Sequence, residues 1–197
     1  MPRVVVGSEF FLDLDRWQTL ERTILPELVA RRPALRAWSA GCHLGKEPYS
    51  LAILLDELAP GGGHDLMATD FDARLVERAR AGGPFSEHDV DRVSAEQRAR
   101  YFAPGGPPFS VAPWLVSTIA FGTHDLRRDP YASDFDLILY RDVQPFFDDA
   151  VNRDVLRRLS AALRDGGVLF VGSTDTVRDP ASLGLRPREP GFFVRSA

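Results

Sequence analysis

Several features that define other protein classes are scarce in this 197-residue chain. A single cysteine, Cys42, excludes an internal disulfide. The four histidines lie far apart without the spacing of metal ligands, so no zinc site is expected. No apolar run approaches the roughly 18 residues of a membrane-spanning helix, and the first residues lack the pattern of a signal peptide. We therefore expect a cytoplasmic protein without membrane insertion.

A strong charge of either sign is also absent, because 24 basic and 28 acidic side chains leave a formal net charge of −4. This balance gives no broad attraction to nucleic acid or to an anionic membrane. Lys46 is the only lysine, and the other 23 of these basic side chains are arginines. With 44% hydrophobic and 26% charged residues, the chain is expected to form one globular domain over 1–197.

The most informative stretch is the loop from Gly41 to Gly45, which lies between a strand pattern and a helix pattern. The apolar run 35–40 predicts a strand, and the leucine spacing after Pro48 predicts a helix. Glycines at both ends of the loop let the backbone approach a ligand, which the N–H groups at the helix start would face. This arrangement is typical of a nucleotide-binding site, although a plain turn without a ligand is an alternative.

Two common phosphate-binding loops do not fit this stretch. The spacing from Ala40 to Lys46 is that of a P-loop, but the next residue must be Ser or Thr, and Glu47 stands there. The dinucleotide fingerprint Gly-x-Gly-x-x-Gly is not matched by Gly41 and Gly45. A wider loop remains, of the kind that wraps S-adenosylmethionine.

An acidic residue, Asp70, ends the second predicted strand at 65–70. A carboxylate in this place accepts two hydrogen bonds from the vicinal hydroxyls of a ribose. Its alternative role is to cap the following helix at 73–81, for which Asp72 is equally suited.

The nearly continuous apolar run 135–140 predicts a strand that is buried on both faces of a parallel sheet. Arg141-Asp142-Val143 follow it, at the edge where ligands bind in such sheets. Further strands are predicted at 119–121 and 167–172, with a closing hairpin at 185–188 and 192–195. We expect an α/β fold with a seven-stranded, mostly parallel sheet, an antiparallel last strand and helices on both faces.

Helix patterns occur on both sides of these strands. Trp17, Leu20, Ile24 and Leu28 form one apolar stripe, which Pro26 is expected to break or kink. Another amphipathic helix is predicted at 149–164. The segment 84–121 is less regular: a helix is predicted at 95–102, and β-prone stretches at 109–111 and 115–121 suggest a hairpin.

These motifs, in this order, resemble one known family. The segment 40–50 resembles the Gly-Cys-Ser-Thr-Gly-Glu-Glu-Pro-Tyr-Ser signature of CheR-type chemotaxis-receptor glutamate methyltransferases. The resemblance continues through the segments 8–11, 68–72, 101–102, 124–126, 135–143 and 166–172. It covers nearly the whole chain and implies a class I methyltransferase-like, Rossmann-like fold that binds S-adenosylmethionine or S-adenosylhomocysteine.

The resemblance also implies a set of contacts and partners. It assigns the cofactor to Ala40, Gly41, Cys42, Gly45, Lys46, Glu47, Asp70, Phe71, Asp125, Leu126, Arg141, Asp142 and Val143. Asp125 stands where the family often has Asn near the adenine, and it keeps the acceptor oxygen. An N-terminal arm and helix at 1–32 and a small insertion at 84–118 are implied, the insertion helping to dock a protein substrate such as a chemoreceptor. Family members usually carry an all-helical domain before this point, and none is expected within this sequence.

Three departures from the family pattern affect the cofactor's amino acid or the methyl site. Leu12 and Lys46 replace an arginine and a glutamate that hold opposite ends of the cofactor's amino acid, and Phe146 replaces a tyrosine of the methyl site. In a dry site Lys46 repels the ammonium and sulfonium by roughly a few kcal/mol, but it could instead hold the carboxylate. No catalytic residue is therefore assigned.

Three hypotheses stay open. The first is a working methyltransferase in which Lys46 replaces the arginine and Glu47, or a backbone carbonyl, receives the ammonium. The second is a catalytically silent adenosyl-ligand-binding or scaffold module, and the third is a pocket adapted to another adenosine-containing ligand or methyl acceptor. The first hypothesis needs no general base, because a glutamate acceptor is already ionised at pH 7.

Overall fold

The computed structural model describes residues 9–196. Residues 1–7 of the expected N-terminal arm, and Ser8 of the family-like segment 8–11, lie outside this range. The strands are β1 (Arg36–Ala40), β2 (Asp65–Asp70), β3 (Ile119–Thr123), β4 (Phe135–Tyr140), β5 (Leu163–Val171), β6 (Leu185–Glu189) and β7 (Phe192–Arg195).

These strands form one seven-stranded sheet in the order β3-β2-β1-β4-β5-β7-β6. The pairs among β1 to β5 are parallel, whereas β7 runs antiparallel to both β5 and β6. The predicted fold class is thereby confirmed, with small differences in strand length: β3 and β5 are longer than expected. All six residues of β4 are buried, Asp136 included, as its nearly continuous apolar run predicted.

The helices are α1 (Leu14–Thr19), α2 (Leu25–Arg31), α3 (Lys46–Leu58), α4 (Ala73–Arg80), α5 (Ala95–Tyr101), α6 (Pro113–Val116) and α7 (Asp149–Ala162). Side chains cap several of them, because the first N–H groups of a helix have no partner inside it. Asp72 caps α4, Asp148 caps α7, and Ser94 with Gln97 forms a capping box on α5. Within residues 9–196, no helix is long and apolar enough to cross a lipid bilayer.

The N-terminal helical segment continues through the position where a break was expected. A π-helical turn, Leu20–Ile24, separates α1 from α2, and Pro26 lies in the first turn of α2. Proline is tolerated there because its missing N–H would have no partner inside α2. The predicted interruption therefore appears as one widened turn, and the stripe of Trp17 and Leu28 stays buried.

The hairpin suggested at 109–121 is only partly correct. Among the described residues, the antiparallel pairing of this segment consists of two isolated bridges, Phe85–Phe109 and Phe102–Val111. The stretch expected to begin a strand at 115 instead continues α6, which starts at Pro113 and buries Leu115. Proline favours the first turn of a helix, and β3 begins only after this turn.

Apolar clusters cover both faces of the sheet. On one face, Leu139 and Phe170 lie in a cluster with Trp17 of α1. On the other face, Ile138 lies in a cluster with Leu159 of α7. Full burial of such side chains contributes roughly 1.5–3 kcal/mol each, so these layers hold the carboxyl ends of β1, β2 and β4 in fixed positions.

Candidate functional site

The strand order reverses between β1 and β4, the place where parallel α/β sheets bind ligands. The loop after β1 is folded back on β2, because the N–H groups of Gly41 and Cys42 both donate to the carbonyl of Thr69 at 2.8 Å. Gly41 has φ +100°, and a Cβ there would lie 2.4 Å from Val143 Cγ2. Glycine at this position therefore lets the loops after β1 and β4 pack together.

A cavity of about 710 Å³ opens at this edge of the sheet. Its volume falls in the range of about 300–1,000 Å³ that is typical of small-molecule sites. Most of the sequence-predicted contacts line it: Gly41, Cys42, Lys46, Glu47, Asp70, Phe71, Asp125, Leu126, Arg141, Asp142 and Val143. Leu12 and Phe146, the two positions of the replaced arginine and tyrosine, line it as well. The structure thus brings together residues from four loops that are distant in sequence.

Two of the predicted contacts do not line the cavity. Ala40 is buried inside β1 with 1% exposure. Gly45 caps α3 with φ +86°, and a Cβ there would meet Ala79 and Tyr49 at 3.0 Å. Both residues shape the loop from behind and do not form the cavity wall.

Sequence reasoning missed several lining residues: Glu9, Trp17, His43, Leu75, His124, Arg127 and Phe147. His43 and His124 lie inside the family-like segments 40–50 and 124–126, but neither was assigned a contact with the cofactor. The sequence predicted Trp17 only as a core residue, because it belongs to the apolar stripe of the N-terminal helices. It is 2% exposed and serves as both core and cavity wall.

Asp70 is held in place at the end of β2. Its Oδ2 accepts the N–H of His43 at 2.9 Å, and its Oδ1 accepts the N–H of Asp72 at 3.1 Å. Each carboxylate oxygen has a second lone pair, so the group keeps the capacity to accept two hydroxyl hydrogens. The separate capping of α4 by Asp72, whose Oδ1 accepts the N–H of Arg74 at 2.8 Å, leaves Asp70 available for this role.

Asp125, expected near an adenine, is bound by its own loop. Arg127 donates from its backbone N and its Nε to Oδ1, both at 2.9 Å, and from Nη2 to Oδ2 at 2.8 Å. These hydrogen bonds from Arg127 lower the pKa of Asp125 to about 2. The carboxylate stays ionised, and Oδ2 keeps acceptor capacity beyond this one bond.

Lys46, which the sequence placed at the cofactor's amino acid, pairs with Asp89 on the segment after α4. The Lys46 side chain is 7% exposed and that of Asp89 is 20% exposed. Asp89 also accepts the N–H and the hydroxyl of Ser86, at 2.7 and 2.8 Å, and its carbonyl accepts the N–H of Phe10 at 3.0 Å. Burial opposes the charge of Asp89, but the hydrogen bonds from Lys46 and Ser86 outweigh it and lower its pKa.

Glu47 is a mostly buried carboxyl group in the cavity wall, with a side chain that is 18% exposed. Its Oε1 accepts the hydroxyl of Ser39 at 2.7 Å, and its Oε2 lies 3.5 Å from Nη1 of Arg141. Burial raises the pKa of Glu47 to about 7, although Arg141 and Ser39 favour the charged form. Glu47 is therefore half protonated near neutral pH, and it would gain from a cation placed beside it.

Arg141 connects the loop after β4 to the N-terminal segment. Its Nη2 donates to the carbonyl of Leu12 at 2.9 Å and to Oδ2 of Asp13 at 3.0 Å, and its side chain is 2% exposed. Burial opposes the charge of Asp13, but the N–H of Ser173 and Arg141 lower its pKa. Among residues 9–196, the buried Nε of Arg141 has no hydrogen-bond partner.

Cys42 and His43 are poor candidates for covalent or acid chemistry. Burial, with Asp70 and Glu47 nearby, raises the pKa of the Cys42 thiol well above its usual range, so little nucleophilic thiolate is present. Burial also lowers the pKa of His43, with Lys46 adding to the effect and Asp70 opposing it. In the described part of the chain, His, Cys, Asp and Glu form no cluster that could hold a metal ion.

Known proteins of one family are similar to this chain in sequence. Residues 7–186 match the family model of the CheR methyltransferase SAM-binding domain. A chemotaxis protein methyltransferase of Listeria monocytogenes is 33% identical over 190 residues, which cover 96% of this chain and 72% of that protein. Chemotaxis protein methyltransferase 1 of Pseudomonas aeruginosa is 32% identical over 203 residues, covering 95% of this chain and 72% of that protein.

A solved structure from Bordetella parapertussis, described as a possible exported protein, matches with a TM-score of 0.50 at 20% identity. The match covers 80% of this chain and 41% of that chain. At this level of identity the likeness concerns the fold alone.

Proposed function

This chain belongs to the CheR methyltransferase family, and from that membership we propose that it binds S-adenosylmethionine and transfers the methyl group to a glutamate side chain of a protein. The cavity at the edge of β1, β2 and β4 is the proposed site. The observation that carries this assignment is Asp70, a carboxylate oriented by two backbone N–H groups at the end of β2. That is the place and the chemistry that an adenosine ribose requires.

The remaining contacts follow from the positions of the loops. The adenine would lie toward Phe71, Asp125 and Leu126, and the amino-acid tail toward Glu47 and Arg141. Phe71 is 72% exposed at the mouth, where an adenine ring would cover part of its surface. Glu47 is proposed to receive the ammonium group, because a cation there stabilises its charged form.

The proposed methyl transfer requires little from the protein beyond the correct placement of the acceptor and the methyl group. When bound, S-adenosylmethionine would supply a methyl group activated by a sulfonium. The glutamate carboxylate would accept that methyl group, with S-adenosylhomocysteine as the leaving group, and it needs no general base because it is already ionised. The chain's own task is to align the acceptor and to exclude water from both charges. Leu12, Trp17, Phe146 and Phe147 give the wall near this end of the cavity an apolar surface suited to that task.

The partner is proposed to be a protein with exposed glutamates, in the first instance the cytoplasmic part of a chemoreceptor. The relatives' names as chemotaxis protein methyltransferases support this choice. The insertion at 84–118 is proposed as part of the docking surface. Its residue Trp114 is 45% exposed, which is unusual for a side chain of this size.

Calorimetric titration with S-adenosylmethionine and S-adenosylhomocysteine tests the binding step. Asp70→Asn is expected to weaken both ligands roughly tenfold to hundredfold, since hydrogen bonds to a charged group contribute about 1.5–3 kcal/mol. Asp65→Asn, at the exposed start of the same strand, is the matched control and should bind normally. The Asp70 variant should also lose most of its preference for adenosine over 2′-deoxyadenosine.

Transfer of a tritiated methyl group to purified receptor fragments tests the chemical step. A methyl ester of glutamate is hydrolysed by base. Label that is found on glutamate-containing peptides and is released by base therefore supports the proposed activity. Failure of the wild-type chain to bind either ligand contradicts it, whereas binding without transfer to any acidic protein supports the silent binding module. Leu12→Arg together with Lys46→Glu restores the family pattern, but Asp89 would then face a like charge. Asp89→Asn therefore has to accompany this pair before a gain in affinity is expected.

A further inference from the structure

Asp175 joins two loops at the cavity edge although it is not among the cavity-lining residues. Its Oδ2 accepts the N–H of Asp142 and the N–H of Gly172, both at 2.8 Å. Asp142 follows β4 and Gly172 follows β5, and these two strands pair in parallel. One carboxylate oxygen therefore ties together the carboxyl ends of neighbouring strands.

The loop that Asp175 holds is strained at Asp142. This residue has φ +58°, in the left-handed region that costs a non-glycine residue roughly 1–2 kcal/mol. The hydroxyl of Thr174 donates to Asp142 Oδ1 at 3.3 Å and adds a second link between the two loops. A Cβ on Gly172 would lie 2.8 Å from Asp175 Oδ2 and 3.0 Å from Asp142 Oδ1, so glycine makes room for both carboxylates.

The backbone conformation at Asp142 sets the direction of its two neighbours. Arg141, before it, reaches Leu12 and Asp13 of the N-terminal segment, and Val143, after it, packs on Gly41. All three residues of this loop line the cavity. A change of φ at Asp142 would therefore move the wall on both sides of the proposed amino-acid end of the cofactor.

Asp175 is itself in an unfavourable environment. Burial raises the pKa of its carboxyl group, while the N–H groups of Asp142 and Gly172 oppose this effect. Its Oδ1 is buried and has no hydrogen-bond partner among residues 9–196. A buried polar atom without a partner lowers the stability of the fold. Such atoms are rare in proteins and are expected mainly at functional sites.

We propose that Asp175 is a positioning residue of the methyl-transfer site, which holds Asp142 in its left-handed conformation and so places Arg141 and Val143 in the cavity wall. This inference rests on the proposed function. Asp175 does not touch the ligand but acts through the loop 141–143. It follows that its loss weakens ligands that reach this loop more than ligands that end at the ribose.

The affinities of S-adenosylhomocysteine and adenosine, compared in variants of Asp175, test this role. Asp175→Ala should weaken S-adenosylhomocysteine at least tenfold and adenosine less than threefold. Asp175→Asn keeps an oxygen that can accept both N–H groups, so it should stay within threefold of the wild type for both ligands. Asp149→Asn, which changes an exposed carboxylate at the start of α7, is the control and should change neither affinity.

A second measurement separates positioning from a general loss of stability. Glycine adopts φ > 0 without strain, so in an Asp142→Gly background the further change Asp175→Ala should cost less than threefold in S-adenosylhomocysteine affinity. Equal losses in both backgrounds, or equal losses for adenosine and S-adenosylhomocysteine, would show a merely structural role. If Asp175→Ala does not fold, Asp175→Ser, which shortens the acceptor, gives the same comparison.

The result also distinguishes this inference from the proposed function. A wild-type chain that binds no S-adenosylhomocysteine contradicts the function and the inference together. A wild type that binds, with Asp175→Ala and Asp175→Ser binding equally well, overturns the inference alone.

Discussion

Glu47 should release a proton when the cofactor binds. Its carboxyl group has a pKa of about 7 in the free protein, against an ordinary value of 4.5, because it is buried in the cavity wall. An ammonium group placed beside it favours the charged form and returns the pKa toward 4.5. Binding of S-adenosylhomocysteine is therefore expected to release about 0.5 proton at pH 7, about 0.9 at pH 6 and nearly none at pH 8.5.

The same shift predicts how stability depends on pH. A raised pKa means that the folded state favours the protonated carboxyl group, so the contribution of Glu47 is fully present below pH 4.5 and is lost as the pH rises through about 7. Relative to Glu47→Gln, the free energy of unfolding of the wild type should fall by up to about 3 kcal/mol between pH 4.5 and pH 8. Only the pH dependence of this difference is diagnostic, because Gln also weakens the contact with Arg141.

Titration calorimetry in two buffers of different ionisation enthalpy measures the proton release directly. The wild type, Glu47→Gln and the exposed control Glu77→Gln should be compared at pH 6, 7 and 8.5. The control is expected to match the wild type, and the Glu47 variant to release almost no proton at any of these values. Equal proton release by the wild type and Glu47→Gln would refute the assignment of the ammonium to Glu47.

Two further predictions concern the loop after β1. Lys46→Met and Asp89→Asn should each destabilise the chain by roughly 1–4 kcal/mol, and the double variant should cost clearly less than their sum, because one change leaves the other charge buried and unpaired. If denaturant titrations show that the losses in the free energy of unfolding are additive, the two charges do not stabilise each other. A loss of ligand affinity above tenfold in Lys46→Met would instead indicate that this lysine contacts the cofactor. Gly41→Ala should cost about 1–3 kcal/mol, since its Cβ would meet Val143 at 2.4 Å and its φ is +100°. Gly122→Ala, where a Cβ meets no atom within 4 Å, is the control and should unfold at nearly the wild-type temperature.

The sheet could be predicted well because its signals are local. The run 135–140 is apolar except for Asp136, and β4 occupies those residues. The strand β2 has the predicted bounds, Asp65–Asp70, because an aspartate marks each end of it. The segment 109–121 was harder, because β-prone residues there meet Pro113, whose preference for a helix start prevails locally.

The charge pairs of the site could not be predicted from sequence. Lys46 and Asp89 are 43 positions apart, and Arg141 and Asp13 are 128 positions apart. No periodicity connects such residues, because their contact depends on how the insertion and the N-terminal segment fold over the sheet. The sequence identified Lys46 as unusual from its isolation, but only the tertiary structure supplies the partner Asp89.

Because the chain has a single lysine, reagents that react with lysine amines can modify only one side chain. Acylating probes and lysine crosslinkers find no other lysine side chain, and the ammonium group of Lys46 is buried against Asp89. Acylation at this position must therefore wait for a local opening of that pair, since a protonated and paired amine is not a nucleophile. The rate at which Lys46 is acylated, read by mass spectrometry, thus reports how often the segment around Asp89 lifts away from α3.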